Sequence, residues 1–503
     1  MLATALSASV VGVDGVPVRV EVDVSFGLPG LTIVGLAGSA VLEARERVRS
    51  ALRNSGFEVP SRRITVNLAP ADLPKEGTGH DLAIAVAILV ASGQLDGARL
   101  RSTALIGELA LDGSLRPVPG ALALVAAAVA GGATDAIVPA ENGPEGAAIR
   151  GVAVRPAGAL GQVTRHLAGV EPLEALEPTA PEPPGLLPDD APDLASVVGQ
   201  LVARRALEIA TAGRHNLAFS GPPGVGKTLL ARAAAGLLPP LDEVEAAEVS
   251  RIYSVAGLTD RRAPVSLRRP FRAPHHTVST QALVGGGPRI RPGEASLAHR
   301  GALLLDETLQ FRADALDALR GPIDGGTVTI ARVEGVLALP ARFMLLATFN
   351  PCPCGWFGVD GQVCSCEDGR RRRYQARLSG PMRDRLDLFV PLEPGVSARA
   401  LAARPEPSAA VASRVHRAWC LQRERQGVPN VELPPSALDA AHGFTEAIHG
   451  LMESRARQMG LSLRRAHRAT RVARTIADLE GAPAVEPRHL DEALSYRPKA
   501  AAP

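Results

Sequence analysis

The feature that most constrains the fold is a glycine-rich segment near the middle of the chain, Gly221–Thr228, with the sequence GPPGVGKT. It fits the phosphate-loop pattern GxxxxGK followed by Ser or Thr completely. The apolar run Leu217–Ser220 before it is a predicted strand, and Leu229–Leu238 after it is a predicted helix. This order of strand, glycine loop and helix predicts an α/β domain with a parallel sheet, and it makes a chance glycine turn a poor alternative.

The second feature is the apolar run Gly301–Leu305, which ends in the adjacent carboxylates Asp306 and Glu307. Acidic strand ends are common. Downstream of a phosphate loop, however, they predict that Asp306 binds Mg²⁺ and that Glu307 orients and polarises the attacking water. Having both carboxylates favours ATP hydrolysis over nucleotide binding alone. The predicted ligands of ATP and Mg²⁺ are Gly221, Pro222, Pro223, Gly224, Val225, Gly226, Lys227, Thr228 and Asp306.

A third apolar run, Phe343–Phe349, ends at Asn350. A polar side chain at this point is suited to sense the γ-phosphate and to help position the water. The alternative is an asparagine that only forms a turn before Pro351, and sequence order alone does not decide between them.

Four of the five cysteines fall in one short window, at Cys352, Cys354, Cys364 and Cys366. Four thiolates suit a structural, tetrahedral Zn²⁺, although C-x-x-C is a commoner spacing than C-x-C. The alternative is a loop whose cysteines are merely small residues, and disulfides are the poorer explanation in a cytosolic chain. The run Arg370–Arg373 that follows is either a solvated basic face or a DNA contact.

The length of 503 residues suits roughly three domains. Residues 169–192 combine prolines and acidic side chains without any Lys or Arg, which predicts an extended acidic linker, with a bound and ordered tether as the alternative. The other predicted parts are an α/β domain over residues 1–168, a parallel-sheet domain over residues 193–395 and a helical domain over residues 396–503.

Local patterns suggest several elements of the first domain. Val16–Val24 alternates apolar and polar residues as a half-buried strand does, and Ile64–Leu68 is a second predicted strand. Gly107–Gly113 is a predicted hairpin. Asp81 is predicted to cap a helix over Leu82–Ser92 by accepting hydrogen bonds from its free N–H groups.

Composition excludes some classes of protein. No apolar run is long enough to cross a bilayer, and the first residues carry no basic side chain, so we expect a cytoplasmic protein without a membrane segment. The net charge of +3 is too small to indicate nucleic-acid binding by itself. Aromatic residues make up 3%, which argues against a long base-stacking platform.

Together these motifs resemble the ComM/YifB family of magnesium-chelatase-like AAA+ ATPases. The resemblance covers nearly the whole chain outside the linker and the last few residues. It implies an AAA+ P-loop parallel sheet with a C-terminal helical lid, preceded by an α/β Lon-protease-like domain of the ribosomal-protein-S5-like class. It rests further on the runs Gly27–Gly35, Ile64–Asp72, Arg269–Thr277, Gly293–His299, Asn350–Gly355, Ser379–Arg385 and Val472–Leu479.

The same resemblance assigns roles to single residues. Asn350 matches sensor 1, Arg385 matches the arginine finger that reaches the ATP of a neighbouring subunit, and Arg464 matches sensor 2. The alternative for each arginine is a surface ion pair. A guanidinium acting across an interface requires a head-to-tail ring. The resemblance to ComM-like proteins further implies a hexameric, ATP-driven motor for DNA branch migration during natural transformation.

For contacts with DNA, the resemblance indicates a pore hairpin over Thr327–Leu337 and an insertion over Arg268–Arg300. We interpret His275 and His276 as structural or pore-loop residues, because no carboxylate or cysteine lies at ligand spacing from them. The candidate phosphate contacts are Arg289, Arg291 and Arg332.

The Lon-like domain is expected to be non-proteolytic. A Lon-type protease needs a Ser nucleophile and a Lys base, but Asp81 and Leu122 stand at the matching positions, and Lys75 is the only lysine of the domain. We therefore expect a scaffold or a DNA-binding platform.

Two rival functions remain at this point. One is a chelatase-type partner that uses ATP to drive metal insertion into a tetrapyrrole, and the other is a protein-remodelling factor of the MoxR kind. The fused N-terminal domain argues against the first, since the chelatase motor subunit is similar to the AAA+ part alone. The run Thr308–Gln310 departs from the more acidic family pattern without removing a predicted catalytic group.

Overall fold

The computed structural model describes residues 1–497 except 37, 74, 76, 179, 182–190, 261–262, 288–289, 333–334 and 395–404. The chain divides into two compact units, one with Met1–Pro183 and Asp242–Leu267, the other with Pro184–Leu241 and Arg268–Pro503. The predicted phosphate contact Arg289 lies outside the described residues.

A mixed sheet forms the centre of the first unit. Its strands and two short partners are β1 Leu2–Val11, β2 Asp14–Ser25, β3 Gly30–Val34, β4 Arg63–Ala69, β5 Thr103–Leu105, β6 Glu108–Leu109, β7 Leu115–Arg116, β8 Asp135–Pro139 and β9 Ala153–Ala157. Seven of these strands form one sheet in the order β3-β4-β2-β1-β5-β8-β9. Strands β1, β2 and β4 pair antiparallel, whereas β1, β5, β8 and β9 pair in parallel.

The helices of the first unit pack their apolar side chains against the apolar side chains of this sheet. The alternation predicted over Val16–Val24 is confirmed, because Val18, Val20, Val22 and Val24 of β2 are buried. The α-helices of the unit are Ser39–Leu42, Ala44–Asn54, Asp81–Ala91, Ala121–Ala130, Gly143–Gly146, Leu160–Leu167 and Glu243–Ala256.

The hairpin predicted near Gly107–Gly113 is confirmed, since β6 and β7 pair antiparallel. The capping role predicted for Asp81 is wrong. The helix begins at Asp81 itself, and no side chain caps it. Asp81 instead accepts two hydrogen bonds from the guanidinium of Arg47, at 2.7 and 3.1 Å, and one from the N–H of Leu109 at 3.3 Å. A buried carboxylate needs such a partner more than the helix end needs a cap.

The start of the predicted linker runs along the first unit. The N–H of Leu176 donates to the carbonyl of Val154 at 2.9 Å, and Arg155 donates to the carbonyl of Leu173 at 2.5 Å. Residues 179 and 182–190 of the linker lie outside the described residues.

The second unit is built on a parallel sheet, as predicted. Its strands are β10 Leu217–Ser220, β11 Phe271–Arg272, β12 Gly285–Gly286, β13 Arg291–Pro292, β14 Ala302–Leu305, β15 Thr327–Arg332, β16 Gly335–Pro340, β17 Met344–Phe349 and β18 Leu388–Pro391. The central sheet has the order β11-β14-β17-β10-β18, and each neighbouring pair is parallel. Strands β14 and β17 are buried along their length, which explains their unbroken apolar sequences.

Helices complete the second unit. Those near the C-terminus share one apolar core with the sheet, in which Val472 and Ile476 join Phe219 and Leu304. No helix among the described residues has the length and apolarity needed to span a membrane. The α-helices are Leu201–Gly213, Lys227–Ala233, Thr280–Val284, Glu294–Leu297, Ala313–Ala318, Arg320–Gly325, Asp368–Gln375, Gly380–Arg383, Ser408–Gln426, Glu446–Gln458, Leu463–Leu479 and Pro487–Ser495.

Candidate nucleotide site

The glycine-rich loop joins the end of β10 to the helix that begins at Lys227. Gly224 and Gly226 have φ angles of +81° and +88°, in the left-handed region that glycine adopts at little cost. Such residues turn the backbone sharply, so that successive N–H groups face a common concavity that suits an anion. The loop geometry therefore fits the phosphate-binding role predicted from the sequence.

Lys227 lies inside this loop. Its Nζ donates hydrogen bonds to the carbonyls of Gly221, at 2.8 Å, and Pro222, at 2.6 Å. Burial lowers the pKa of Lys227, and the negative charges of Asp306 and Glu307 act against that shift. An ammonium group buried among carbonyl oxygens is chemically suited to exchange them for phosphate oxygens.

Three strand ends meet at Asp306, which directly follows β14. Its Oδ1 accepts a hydrogen bond from the hydroxyl of Thr228 at 2.9 Å and another from the hydroxyl of Thr348 at 2.5 Å. Thr228 follows β10 by way of the loop, and Thr348 belongs to β17. A carboxylate beside a hydroxyl supplies the oxygen ligands that Mg²⁺ prefers, so the predicted pair fits the ion.

Glu307 is held in an unusual backbone conformation. Its φ and ψ are +51° and +45°, in the left-handed region, and its side chain is exposed. Its N–H donates to the hydroxyl of Thr348 at 3.1 Å. The same hydroxyl thus contacts both acidic residues. Thr348 was not among the residues predicted from the sequence, although a hydroxyl near the end of an otherwise apolar strand was an available signal.

Asn350 follows β17 and is half-buried. Its backbone lies near the phenol of Tyr374. Burial raises the pKa of that phenol, and the negative charge of Glu307 adds to the effect. Tyr374 therefore lies close to both predicted water-positioning residues, and no sequence pattern pointed to it.

Arg385 and Arg464 meet at one carboxylate. Each donates a guanidinium N–H to Asp324, and Nη2 of Arg468 lies 3.8 Å from the same carboxylate. Arg385 is buried and Arg464 is half-exposed. Within the part of the chain that the structure describes, neither Arg385 nor Arg464 bonds to the glycine-rich loop or its two carboxylates. Sequence reasoning missed Asp324.

The segment that carries Arg385 is anchored on the sheet. Asp387 is buried and accepts hydrogen bonds from the N–H of Asn216 and from Arg468, both at 2.9 Å. Burial acts to raise the pKa of Asp387, but the positive charges of Arg468 and Arg497, together with the hydrogen bond from the N–H of Asn216, outweigh it and keep that pKa below its ordinary value. Asp387 thus fixes the position of Arg385 relative to β10.

The four predicted cysteine ligands converge. Their sulfur atoms all lie within 4.8 Å of one another. Cys352 Sγ is 3.7 Å from Cys364 Sγ, and Cys354 Sγ is 3.6 Å from it. Zinc–sulfur bonds of about 2.3 Å in a tetrahedron place sulfurs about 3.8 Å apart. The N–H of Phe357 also donates to Cys352 Sγ at 3.4 Å, as suits a thiolate. The cluster can hold a metal ion.

The candidate DNA contacts are spread over several elements. The predicted hairpin is confirmed as the antiparallel pair β15 and β16, and Arg332 belongs to β15. Arg291 is exposed at the start of β13. The basic run lies on the helix Asp368–Gln375. One of its members, Arg371, makes a contact within the protein, since its Cζ lies 4.0 Å from the ring centroid of Phe357.

Comparison with known protein families gives three matches along the chain. Residues 193–400 match "Magnesium chelatase, subunit ChlI", residues 20–142 match "Subunit ChlI of Mg-chelatase", and residues 405–497 match "Magnesium chelatase, subunit ChlI C-terminal". Together these matches cover segments of both units.

Similar full-length proteins were also found. "Uncharacterized protein YifB" of Salmonella typhimurium is 44% identical over 99% of this chain and 97% of its own length. "Uncharacterized protein Rv2897c" of Mycobacterium tuberculosis is 43% identical over 99% of this chain and 98% of its own. "Competence protein ComM" of Haemophilus influenzae is 42% identical over 99% of this chain and 97% of its own. The chain therefore belongs to the ComM/YifB family of magnesium-chelatase-like proteins.

Proposed function

We propose that the chain is a ring-forming AAA+ ATPase that remodels DNA in the cytoplasm, as a branch-migration helicase in natural transformation or recombination. The observation that carries the ATPase part is the convergence of Lys227, Thr228, Asp306 and Glu307 at the carboxyl edge of one parallel sheet. Membership in a family that includes a competence protein supports the DNA part.

In this proposal each group at the site has one task. Lys227 contacts the β- and γ-phosphates, and Thr228 and Asp306 hold Mg²⁺. When bound, Mg²⁺ neutralises charge that develops on the transferring phosphoryl group. Glu307 polarises the attacking water, and Asn350 helps to position it.

We assign Arg385 the role of an arginine finger at the ATP of a neighbouring subunit, and Arg464 the role of sensor 2, in a homo-oligomeric ring for which the family resemblance implies a hexamer. Among the described residues, Arg385 bonds to Asp324 and not to the glycine-rich loop of its own chain, which supports the first role. A guanidinium supplied to the phosphoryl group is worth about a thousandfold in rate, or about 4 kcal/mol of barrier. Such an arrangement makes each active site incomplete without the next subunit.

The ATPase proposal is tested by substitutions in the loop and at the carboxylate. Lys227→Ala is expected to weaken nucleotide binding. Glu307→Gln is expected to bind ATP normally but to lose turnover, because an amide cannot polarise water as a carboxylate does. Wild-type turnover in Glu307→Gln would remove this residue from the water-activating role.

A mixing experiment tests whether neighbouring subunits share sites. Arg385→Ala and Glu307→Gln subunits are each expected to be inactive alone. In a random equimolar mixture, about one quarter of the sites pair an intact Glu307 with an intact neighbouring Arg385. Recovery of about a quarter of wild-type turnover supports shared sites, and no recovery at any ratio contradicts them.

The DNA part is tested separately by measuring ATP turnover without DNA and with single-stranded, duplex and four-way-junction DNA. We expect binding and stimulation by branched or single-stranded DNA, and strand exchange that requires ATP. If DNA neither binds nor stimulates turnover, the helicase proposal fails and the ATPase proposal survives. The alternatives are then a chelatase-type role, which the chelatase family match supports, and a MoxR-like remodelling role.

We also propose that Cys352, Cys354, Cys364 and Cys366 hold a structural Zn²⁺. The support is the sulfur–sulfur spacing, which fits tetrahedral coordination. Metal analysis of the purified protein is expected to find one zinc per chain. Cys364→Ser is expected to lose it, whereas Cys420→Ser, outside the cluster, is expected to retain it. A metal-free wild-type protein would favour cysteines that are merely small loop residues.

We propose that the N-terminal domain is non-proteolytic and serves as a scaffold or DNA platform. Lys75 is buried and its Nζ donates to the carbonyl of Pro70, so this amine has a structural partner. The test is digestion of casein by the full-length protein. Cleavage that Lys75→Ala abolishes would overturn the proposal.

A further inference from the structure

We infer that the four-cysteine loop positions the nucleotide loop, with Gly355 as the contact through which it acts. The inference rests on the proposed ATP site and the proposed metal site. It concerns how the two sites are joined: the metal holds the turn Cys352–Gly355 rigid, and that turn supports Pro223 of the phosphate loop.

Gly355 packs against Pro223 of the phosphate loop. A Cβ atom added at Gly355 would lie only 2.5 Å from Cδ of Pro223 and 3.4 Å from its Cγ. Because real Cβ atoms do not approach a ring carbon so closely, the backbone of Gly355 packs directly against the phosphate loop. The φ of Gly355 is +87°, and its N–H donates to the carbonyl of Cys352 at 3.0 Å. The residue thus closes a tight turn that contains two of the metal ligands.

The second step is that the loop is also fixed on its other side. The side chain of Gln375 donates to the carbonyl of Pro351 at 2.9 Å. Arg371 lies over the ring of Phe357, whose N–H donates to Cys352 Sγ. The helix that carries Gln375 and Arg371 begins just after the last cysteine. Ligation of all four sulfurs would therefore hold this helix and the turn as one piece.

The third step is the link to chemistry. Gln375, on the same helix, donates to the carbonyl of Pro351, the residue that directly follows Asn350. The phenol of Tyr374 lies near Asn350 and Glu307. The turn and its helix thus contact the phosphate loop through Gly355 and the chain beside Asn350 through Gln375. A metal that orders this element pre-organises both parts of the site before ATP arrives, which favours tighter binding because less ordering remains to be done.

The test uses two glycines of the same loop as a matched pair. Gly355→Ala introduces the clash with Pro223 and leaves every thiolate in place. Gly358→Ala also puts alanine at a positive φ, +73°, but no atom lies within 4 Å of its added Cβ. We measure zinc content and the dissociation constant of AMP-PNP for full-length protein in excess Mg²⁺.

We expect both variants to retain the wild-type amount of zinc. We expect Gly355→Ala to bind AMP-PNP about ten- to hundredfold more weakly than the wild type, because this loss of affinity corresponds to the usual free-energy cost of overpacking. We expect little change in Gly358→Ala. Adding Gly355→Ala to Pro223→Ala, where the clashing ring atoms are absent, is expected to cost much less affinity than adding it to the wild-type protein. Far-UV circular dichroism of Gly355→Ala checks that the single variant is folded.

Removing the metal from wild-type protein with a chelator, and then restoring excess Mg²⁺, is expected to weaken AMP-PNP binding by a similar factor. Re-addition of Zn²⁺ is expected to restore it. Equal affinities of Gly355→Ala and Gly358→Ala, or metal-free protein with unchanged affinity, would overturn the inference. Wild-type protein that binds no nucleotide at all would instead overturn the proposed function.

Discussion

Glycine at position 307 is expected to make the protein more stable than alanine at the same position. Both substitutions remove the carboxylate, so they differ only in the backbone freedom of the new residue. The φ of +51° at Glu307 lies in the left-handed region, where a residue with a Cβ is strained by about 1–2 kcal/mol. Glycine adopts this conformation without that strain.

The magnitude follows from two opposing effects. In an ordinary conformation glycine is less stable than alanine by about 0.5–1 kcal/mol, because its unfolded chain has more freedom to lose. At position 307 the relief of strain opposes and exceeds this entropic cost. The expected net result is a Glu307→Gly variant that is more stable than Glu307→Ala by about 0.5–1 kcal/mol.

Urea unfolding of the nucleotide-free variants measures this difference, with both carried through the same preparation. A control pair at Glu453, an exposed position inside the helix Glu446–Gln458, is expected to give the opposite order, with alanine more stable by about 1 kcal/mol. If alanine equals or exceeds glycine at position 307, the strain is absent and the reasoning is refuted. Confirmation would show that stability is sacrificed where the proposed water-activating carboxylate must be presented.

Three further predictions concern charged groups. Arg47→Ala should lower the unfolding free energy of the first unit by about 3–5 kcal/mol in urea, because it leaves the charge of buried Asp81 without its partner; a loss below about 1 kcal/mol would contradict this. Asp324→Asn should preserve AMP-PNP binding but lower ATP turnover by about ten- to hundredfold, because two arginines lose their common anchor; unchanged turnover would exclude a positioning role. Burial lowers the pKa values of His80 and His215 to about 4, so the unfolded state binds their protons first as pH falls below 6.5. Each histidine should therefore reduce stability by about 2 kcal/mol between pH 7.5 and pH 5, a loss that urea midpoints measure and that a flat profile would refute.

The sequence was sufficient for the parts of the site that are local in the chain. The strand, loop and helix around Lys227 follow each other directly, and Asp306 and Glu307 directly follow a buried strand. The carboxyl ends of parallel strands meet at one edge of a sheet, so residues that follow such strands lie close together. Their proximity could therefore be predicted without knowing the order of the strands. The cysteine cluster was predictable for the same reason, because one short loop contains all its members.

Predictions failed where a distant residue competed for a side chain. Asp81 stands where a helix-capping residue is expected, but the helix begins one residue earlier and Arg47 takes the carboxylate. Local preference for a cap is worth about 1 kcal/mol, whereas leaving a buried charge unpaired costs about 3–5 kcal/mol. The cost of an unpaired buried charge decided the contact, and it depends on packing between helices rather than on spacing along the chain.

The same reasoning explains why Asp324 escaped notice although Arg385 and Arg464 did not. Each arginine lies in a motif that can be recognised by its neighbours in sequence, while Asp324 lies in a short helix with no such motif. Only the fold brings the three together, and it does so with one carboxylate between two guanidinium groups. One negative charge cannot neutralise two positive ones, so this surface keeps a net positive charge that favours an incoming phosphate. The pairing makes Asp324 the residue that sets the position of the proposed arginine finger relative to the proposed sensor 2.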